Sequence, residues 1–361
     1  MSMVGKKYRV GLVGCGHIAS SHLRGWRQAR GSSVCGVFDL NRDLAVELAT
    51  RFGIPMVYQS LEELLESCDV VDICTPPQTH AGILTRVLEA GRLPVIEKPV
   101  VVDLADWATL ASKIRADGVE LAVAHHLKFT RSFQRCKRWL DEGRIGHVLR
   151  IDWHFLTSRE TDRMLTGERH WSRELPGGRW FETLPHNLYG IHYLCGAMEL
   201  SSVTALRTIE APPGAPADEV VVVLERAGTI ATLHFSANCR LNQRKVTLIG
   251  STGVITIDIL SDYSWLSRSR DSKMRRPFGR SLTESAEAMI AMIADRPMYL
   301  LDRLRRRSPH ARFIAAADRS FRGAGPPPTP FEEIDYVTRY CHRIGSEIDR
   351  QIRECRPEST S

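Results

Sequence analysis

Long apolar runs are missing from this sequence, and so are tracts of low complexity. No stretch approaches the roughly 20 consecutive apolar residues that a membrane-spanning helix needs. The segment Met1 to Arg9 also lacks the apolar core of a secretion signal. The composition, 43% hydrophobic and 25% charged, is that of an ordinary globular protein. We therefore expect a chain that has no transmembrane segment and stays in the cytoplasm.

Cysteine pairs are also missing. The nine cysteines are an odd number, and none of them stands in a C-x-x-C pair. The thirteen histidines contain no pair at helical ligand spacing joined to a third ligand. These patterns argue against a disulfide framework and against a zinc cluster. We expect free thiols, a reducing compartment and no metal site.

No recognisable DNA- or RNA-binding motif accompanies the net charge of +7. The excess arginine is concentrated in Arg268 to Arg280 and in Arg303 to Arg307. We expect no nucleic-acid partner, and the basic balance suits an anionic cofactor or a phosphorylated substrate. The segment Leu260 to Arg307 is interpreted as a packed helix with a solvated basic end. The alternative is a surface for anionic membranes or for a lipid- or nucleotide-linked sugar.

The clearest motif present is Gly14-Cys15-Gly16-His17-Ile18-Ala19, which follows the apolar run Tyr8 to Val13 and precedes a helical pattern. This is the G-x-G-x-x-A form of a dinucleotide-binding turn. Gly14 permits the tight turn, Gly16 keeps side-chain atoms away from a pyrophosphate, and Ala19 lets the helix pack close to its strand. The free N–H groups at the start of that helix would face the phosphates.

A second apolar strand, Val34 to Phe38, ends in Asp39, about 20 positions beyond the glycines. A carboxylate at this place receives the hydroxyls of the adenosine ribose. Because Asp39 would repel a 2′-phosphate, we predict NAD as the cofactor. Arg42 lies close enough to soften that repulsion, so NADP stays open.

Strand and helix patterns alternate over residues 1–125, which predicts a doubly wound, mostly parallel sheet. The strand Val70 to Cys74 runs into Thr75-Pro76-Pro77-Gln78-Thr79-His80, and a second short strand runs into Glu97-Lys98-Pro99. Both loops would lie at the carboxyl edge of the sheet, where such folds bind ligands. Pro99 fixes the local backbone, with a cis Lys98–Pro99 bond permitted, and would aim the ammonium of Lys98. The alternative is a surface lysine after a strand.

A second domain begins at His125-His126. The strand Val148 to Phe155 alternates in hydrophobicity, and the long loop Thr157 to Phe181 is rich in Arg and Trp. A helix is predicted next, with Thr183 as its N-cap, Pro185 in its first turn and Gly196 as its end. His186 would then lie in the first turn, where the helix dipole favours the neutral imidazole that a general base needs. The alternative is a buried packing histidine.

These motifs, in this order and spacing, resemble the glucose–fructose oxidoreductase / inositol dehydrogenase / rhizopine-catabolism (Gfo/Idh/MocA) family. The resemblance implies a nicotinamide-dependent oxidoreductase of the α/β class. It implies an N-terminal Rossmann doubly wound parallel sheet and a C-terminal α+β domain with an open, mainly antiparallel sheet. We assign residues 1–125 to the first domain, 126–355 to the second and 356–361 to a tail. The open sheet face predicts a homodimer or homotetramer.

The resemblance also implies a site. Family members carry an Asp followed four residues later by His; here Glu182 and His186 stand at those positions. Tyr189 replaces a common Asp, so the sugar or cyclitol specificity does not transfer. The candidate cofactor-binding residues are Gly14, Gly16, His17, Ile18, Ala19, Asp39, Arg42, Thr75, Pro76, His80, Glu97 and Lys98, and the candidate substrate residues are His126, Trp171, Arg179, Trp180 and Tyr189.

The predicted reaction passes a hydride between the nicotinamide and a secondary alcohol of a sugar, cyclitol or nucleotide-sugar. Lys98 would hold the alcohol oxygen, and Glu97 would orient Lys98 or contact the nicotinamide ribose. His186 would exchange the hydroxyl proton, with Glu182 fixing the substrate or His186. Two alternatives remain: an enzyme that cleaves glycosides through transient use of NAD, and a non-catalytic dinucleotide sensor.

Overall fold

The computed structural model describes residues 7–166, 171–208, 216–268 and 308–354, together with 286, 289, 290 and 293. Most of the basic segment that the sequence singles out between residues 260 and 307 therefore lies outside the described residues. No helix in the described ranges is both long and apolar enough to cross a membrane.

The first sheet has six strands among the described residues, all parallel, in the order β3-β2-β1-β4-β5-β6. The strand order reverses at β1, which lies between β2 and β4, and such a reversal is where doubly wound folds bind ligands. The predicted Rossmann sheet is confirmed. Its strands are β1 (Tyr8–Val13), β2 (Ser32–Phe38), β3 (Met56–Val57), β4 (Val70–Ile73), β5 (Leu93–Ile96) and β6 (Ala122–Val123).

Helices connect these strands, and short polar residues set their ends. Asn41 accepts hydrogen bonds from the first N–H groups of the second helix, and Gly53 ends that helix at a φ of 58°. Ser60 Oγ accepts from Glu63 N at 3.2 Å, as the capping pattern predicts. The helices are α1 (Ala19–Trp26), α2 (Arg42–Phe52), α3 (Leu61–Ser67), α4 (His80–Glu89) and α5 (Leu104–Asp117).

The second sheet has seven strands among the described residues, in the order β13-β12-β11-β7-β10-β9-β8. Neighbouring strands are antiparallel except β7 and β10, so the predicted mainly antiparallel sheet is confirmed. The strands are β7 (Val148–Ser158), β8 (Glu199–Leu206), β9 (Glu219–Arg226), β10 (Thr229–Ser236), β11 (Asn238–Gly250), β12 (Gly253–Asp258) and β13 (Tyr263–Arg268).

The alternation predicted for β7 is present: Ile151, Trp153 and Phe155 are buried. The helices of this part are α6 (Arg131–Asp141), α7 (Arg163–Thr166) and α8 (Arg179–Cys195). Gly190 of α8 lies so close to β7 that an added Cβ would stand 2.6 Å from the Trp153 ring. The buried face of the sheet therefore packs directly on α8.

The start of α8 corrects the sequence prediction. The helix begins at Arg179, four residues before the predicted N-cap Thr183, and Pro185 lies inside it. Gly178, with φ at 61° and ψ at −132°, turns the chain into the helix. Arg179 then secures the first turn, because its Nη1 donates to Glu182 Oε2 at 2.8 Å and to Thr183 Oγ1.

The chain divides into two compact units: Met1–Phe129 with Asp302–Arg339, and Thr130–Leu301 with Tyr340–Ser361. This division differs from the predicted domain limits, which gave all of residues 126–355 to the second domain. The last helices are α9 (Pro309–Phe321) and α10 (Phe331–Glu354). α9 belongs to the first unit because its apolar face completes a cluster with Tyr8 and Trp26. The Tyr8 hydroxyl also donates to the Phe321 carbonyl at 2.9 Å.

Gly345 of α10 gives a test of this packing. An added Cβ would lie 2.6 Å from the Pro176 carbonyl oxygen, a backbone atom that a rotamer change cannot move. We expect Gly345→Ala to lower the free energy of unfolding by about 1–3 kcal/mol despite its better helix propensity. Thermal unfolding followed by circular dichroism measures this.

The matched control is Gly82→Ala in α4, where an added Cβ meets nothing within 4 Å. Alanine there should stabilise by about 0.5–1 kcal/mol, because it removes backbone freedom from the unfolded chain. Equal responses of the two variants would contradict the close approach at Gly345.

Candidate active site

The carboxyl edge of the parallel sheet collects the predicted cofactor residues of the first unit. β1 ends at the glycine turn, and β2 is followed by Asp39. β4 is followed by the loop with Thr75 and Pro76, and β5 by Glu97 and Lys98. The chain order of parallel strands thus gathers four separate segments at one edge.

The glycine turn has the shape that a dinucleotide requires. Gly14 has a φ of 91°, and an added Cβ there would stand 2.8 Å from the Cys74 carbonyl carbon. Gly16 is exposed, and an added Cβ would meet nothing within 4 Å, so this space is open. Ala19 is fully buried at the start of α1, and Ile18 provides no side-chain cap. The turn therefore fits a pyrophosphate beside the backbone and the helix N-terminus.

Asp39 is held in place by backbone groups. Its Oδ2 accepts a hydrogen bond from Cys15 N at 2.7 Å, and its Oδ1 accepts from Asn41 N at 2.7 Å. The carboxylate thus lies against the glycine turn, where sequence reasoning expects the adenosine ribose. Arg42 is exposed at the start of α2.

His80 connects two loops at this edge. Its Nδ1 lies 2.8 Å from the Pro99 carbonyl oxygen and its Nε2 lies 2.9 Å from the Thr75 carbonyl oxygen. Burial lowers the pKa of His80, although both carbonyls oppose this. A neutral ring donates to one carbonyl only. Its part in binding a cofactor would be indirect, through the position of Thr75.

Lys98 is partly exposed directly after β5, and the Lys98–Pro99 bond is cis. The neighbouring Glu97 is buried, and its Oε2 accepts from Lys98 N at 3.1 Å. Its Oε1 lies 2.8 Å from His22 Nε2. Both carboxylate oxygens of Glu97 therefore have protein partners.

His22 links Glu97 to a second buried carboxylate, that of Asp72. Its Nδ1 lies 2.9 Å from Asp72 Oδ1, and Trp26 Nε1 donates to Asp72 Oδ2 at 2.7 Å. Burial alone would lower the pKa of His22, but the Asp72 carboxylate raises it well above its usual value. Burial alone would raise the pKa of Glu97, but the His22 hydrogen bond and charge lower it well below its usual range.

His126, a predicted substrate residue, stacks on His310 of α9 with ring centroids 4.0 Å apart. His310 Nε2 lies 3.6 Å from Glu97 Oε1. Sequence reasoning missed His22, Asp72 and His310. A signal existed for His22, since it is a polar residue on the apolar face of α1 beside Leu23 and Trp26. His310 gave no signal, because only the fold brings it to this edge.

In the second unit, Arg179 organises the start of α8. It is buried, and besides Glu182 and Thr183 it binds Asp162, whose Oδ2 accepts from Nε at 2.9 Å. Its guanidinium also lies over the Phe155 ring. Arg179 was predicted to contact substrate; in this structure it holds Glu182 and the preceding loop.

His186 lies in the interior of α8 rather than in its first turn, so the predicted influence of the helix dipole falls away. Its side chain is partly exposed, and its Nδ1 is hydrogen-bonded to the Tyr189 hydroxyl at 2.7 Å. Tyr189 itself is fully buried. Tyr189 therefore fixes the orientation of the His186 ring through Nδ1.

The two tryptophans of the predicted substrate set differ from each other. Trp180 is fully buried and donates from Nε1 to the Ala217 carbonyl at 2.8 Å, so it serves the core of the unit. Trp171 begins a short 3₁₀ turn, Trp171–Glu174, and remains partly exposed. Of the pair, only Trp171 has accessible surface.

Asp39→Ala tests the ribose assignment. Removing the carboxylate removes its repulsion of a 2′-phosphate, so we expect the ratio of NAD affinity to NADP affinity to fall by roughly tenfold or more. Fluorescence titration with each reduced cofactor measures the ratio. The ratio is the proper readout, because losing the bonds to Cys15 and Asn41 weakens both cofactors together. An unchanged ratio would show that Asp39 does not face the ribose.

Comparison with known proteins identifies the family of this chain. The family model described as "Oxidoreductase family, NAD-binding Rossmann fold" matches residues 8–125. The model of the GFO/IDH/MocA C-terminal domain matches residues 133–256. The two matches together cover more than half of the chain.

Curated relatives are distant. "Oxidoreductase P35" of Formosa agariphila is 25% identical over 195 residues, which covers 52% of this chain and 61% of that protein. The myo-inositol 2-dehydrogenase of Thermotoga maritima is 25% identical over 291 residues, covering 73% of this chain and 84% of the relative. In the first two curated relatives the match spans only 61% and 44% of their length.

A solved structure shows the same fold. The WlbA dehydrogenase from Bordetella pertussis, in complex with NADH and UDP-GlcNAcA, has a TM-score of 0.76 at 20% identity, covering 97% of this chain and 96% of that one. With both domain models matched, the chain belongs to the Gfo/Idh/MocA family of oxidoreductases, and its first domain is the NAD-binding Rossmann domain of that family.

Proposed function

We propose that this protein is an NAD-dependent oxidoreductase that passes a hydride between the nicotinamide and a secondary alcohol of a sugar, cyclitol or nucleotide-sugar. One observation carries the proposal: a partly exposed lysine, Lys98, follows β5 at the ligand-binding edge of an NAD-binding domain. The buried Glu97 beside it fixes the backbone from which that lysine extends.

The residues of the glycine turn and Asp39 hold the cofactor. The turn receives the pyrophosphate, because Gly14 and Gly16 leave its backbone accessible. Asp39 receives the adenosine ribose hydroxyls, and its negative charge favours NAD over NADP. When bound, NAD supplies the hydride acceptor for an alcohol.

Lys98 holds the substrate oxygen and stabilises the negative charge that develops on it. His186 exchanges the hydroxyl proton, with Tyr189 fixing the ring at Nδ1. Glu182, held by Arg179, positions the substrate or His186. Glu97 orients Lys98; a bond to the nicotinamide ribose would have to compete with His22 and Lys98 N for its oxygens.

The substrate class rests on relatives. One is a myo-inositol 2-dehydrogenase, and a solved structure of the same fold binds NADH and UDP-GlcNAcA. Both names point to a cyclic polyol or sugar ring bearing a secondary alcohol. Absorbance at 340 nm across a panel of sugars, cyclitols and nucleotide-sugars with NAD tests this directly. Product release without net reduction would instead identify the glycoside-cleaving alternative.

Lys98→Met is the decisive variant for the catalytic assignment. Methionine keeps the length of the side chain but removes the charge and the hydrogen-bond donors. We expect kcat to fall by at least about a hundredfold on the substrate that the panel identifies, near 2.7 kcal/mol of transition-state stabilisation. Steady-state kinetics measures it.

The matched control is Lys113→Met on α5, where the ammonium pairs only at the surface with Asp117 at 2.9 Å. Its kcat should stay near the unmodified value, since exposed pairs of this kind contribute little. If Lys98→Met remains within about tenfold of the unmodified enzyme, Lys98 is not the residue that holds the alcohol oxygen.

We further propose that the chain associates with itself through the β7–β13 sheet, on the face opposite the one that packs on α8. On this face Val221 and Val223 are partly exposed and Ile230 is exposed, and all three alternate with the buried residues of their strands. Partly exposed apolar side chains on an open sheet face favour a symmetric partner.

The free thiols of the eight described cysteines support a cytoplasmic location.

Light scattering coupled to size exclusion tests the association. We expect a dimer or tetramer for the unmodified chain and a shift towards monomer for Val223→Asp, because burying an unpaired carboxylate is costly. A monomer in the unmodified chain would refute the assembly.

A further inference from the structure

Glu97, His22 and Asp72 form a chain of buried, hydrogen-bonded side chains next to Lys98. His22 and Asp72 have no role in the function proposed above. Asp72 and His22 are fully buried, and Glu97 is nearly so. His22 has a carboxylate oxygen at each ring nitrogen, Asp72 Oδ1 at 2.9 Å and Glu97 Oε1 at 2.8 Å. These are ordinary N–H···O distances.

The hydrogen bonds decide the protonation of His22. A neutral imidazole carries one N–H, so one of the two carboxylates would face a lone pair at hydrogen-bond distance. An imidazolium donates to both. Asp72 is already held by Trp26 Nε1 and cannot turn away without leaving that donor unpaired in the core. With both carboxyl groups ionised, the geometry therefore favours the charged form of His22.

We propose that His22 and Asp72 are positioning residues of the reaction, in which Asp72 holds the His22 imidazolium, His22 holds Glu97 as an oriented carboxylate, and Glu97 in turn orients Lys98. The inference rests on the function proposed for Lys98. Neither His22 nor Asp72 needs to touch substrate or cofactor, because their effect reaches Lys98 through Glu97.

The other groups around Glu97 do not supply this cation. Burial, assisted by the charges of His22 and Lys98, lowers the pKa of His310 to about 4 against the opposing pull of Glu97, so His310 is neutral at pH 7. Burial also lowers the pKa values of His80, His125 and His126. The titratable or charged groups that face Glu97 are His22, Asp72, Cys74, His80, Lys98, His125, His126 and His310.

The sign of the pH effect follows from burial. With His22 present, the pKa of Glu97 is lowered, so Glu97 stays ionised down to acid pH. Without this cation, burial favours the protonated acid and the pKa of Glu97 rises. The active ionisation state is then lost at a higher pH, so the acid limb of the rate profile moves upward.

Nitrogen-15 NMR of the unmodified protein tests the charge state of His22 without requiring turnover. We expect both ring nitrogens of His22 to be protonated at pH 7 and above. A neutral ring at pH 7 would overturn the proposal. A stoichiometric divalent metal retained by the purified protein at His22 and Glu97 would overturn it too, because the metal would replace the proton.

His22→Gln and Asp72→Asn test the catalytic effect. Glutamine retains a donor but no charge, so we expect kcat to fall at least tenfold at pH 7. We expect the acid limb of the kcat/KM profile to move up by at least one pH unit, with NAD affinity within about threefold. Asp72→Asn should move the limb in the same direction, and it serves as the second variant if His22→Gln fails to fold.

His125→Gln is the matched control. His125 is buried in the same unit and bonds to a carboxylate, Glu333 Oε1, at 2.6 Å. Its replacement should leave the acid limb in place. If His22→Gln lowers kcat equally at every pH, the role of His22 is merely structural and the inference fails. Lys98→Met distinguishes the proposed function from this inference. If Lys98→Met keeps its turnover, the proposed function is wrong. If Lys98→Met loses turnover but His22→Gln leaves the acid limb of the kcat/KM profile in place, only this inference is wrong.

Discussion

Glu97 stays ionised although it is almost fully buried, because the His22 imidazolium is hydrogen-bonded to its carboxylate. Burying an isolated carboxylate is so costly that the group would otherwise take up a proton. His22 removes that cost, and Asp72 removes the corresponding cost for His22. The backbone of Lys98 is then fixed by a group that does not titrate near neutral pH. The position of the candidate catalytic lysine therefore depends on buried charges.

In the second unit a single cationic residue, Arg179, pairs with the acidic side chains around it. Arg179 is buried, and it binds Asp162 through Nε and both Glu182 and Thr183 through Nη1. Its planar guanidinium suits several acceptors at once, which a lysine would not. In both units a buried cation orients an acidic residue next to the group proposed to meet the substrate. Buried charges of this kind are costly to unpair, so each of these acidic residues is held firmly within its own unit.

Local signals in the sequence were sufficient for the fold but only partly for the site. The sequence is sufficient to predict the glycine turn, Asp39 and Lys98 as site residues, because each follows a strand of a parallel sheet. The carboxyl ends of parallel strands lie at the same edge of the sheet. The predicted start of α8 is wrong. Thr183 has the side chain of an N-cap residue, but its hydroxyl accepts a hydrogen bond from Arg179 inside the helix. The Tyr189–His186 pair was missed although i,i+3 residues are neighbours on a helix. His310 could not be found, since it meets Glu97 across more than two hundred residues, and no local pattern encodes that contact.

The return of α9 to the first unit also bears on how the chain folds as it is made. The apolar cluster of Tyr8, Trp26, Val95 and Ala124 closes only when Phe313 and Ile314 arrive. Lys128 and His125 likewise meet their carboxylate, Glu333, from the far end of the sequence. Synthesis from the N-terminus must therefore proceed beyond Glu333 before the nucleotide-binding core is complete. Until then the Rossmann unit of the nascent chain exposes an apolar face, which makes it prone to aggregation.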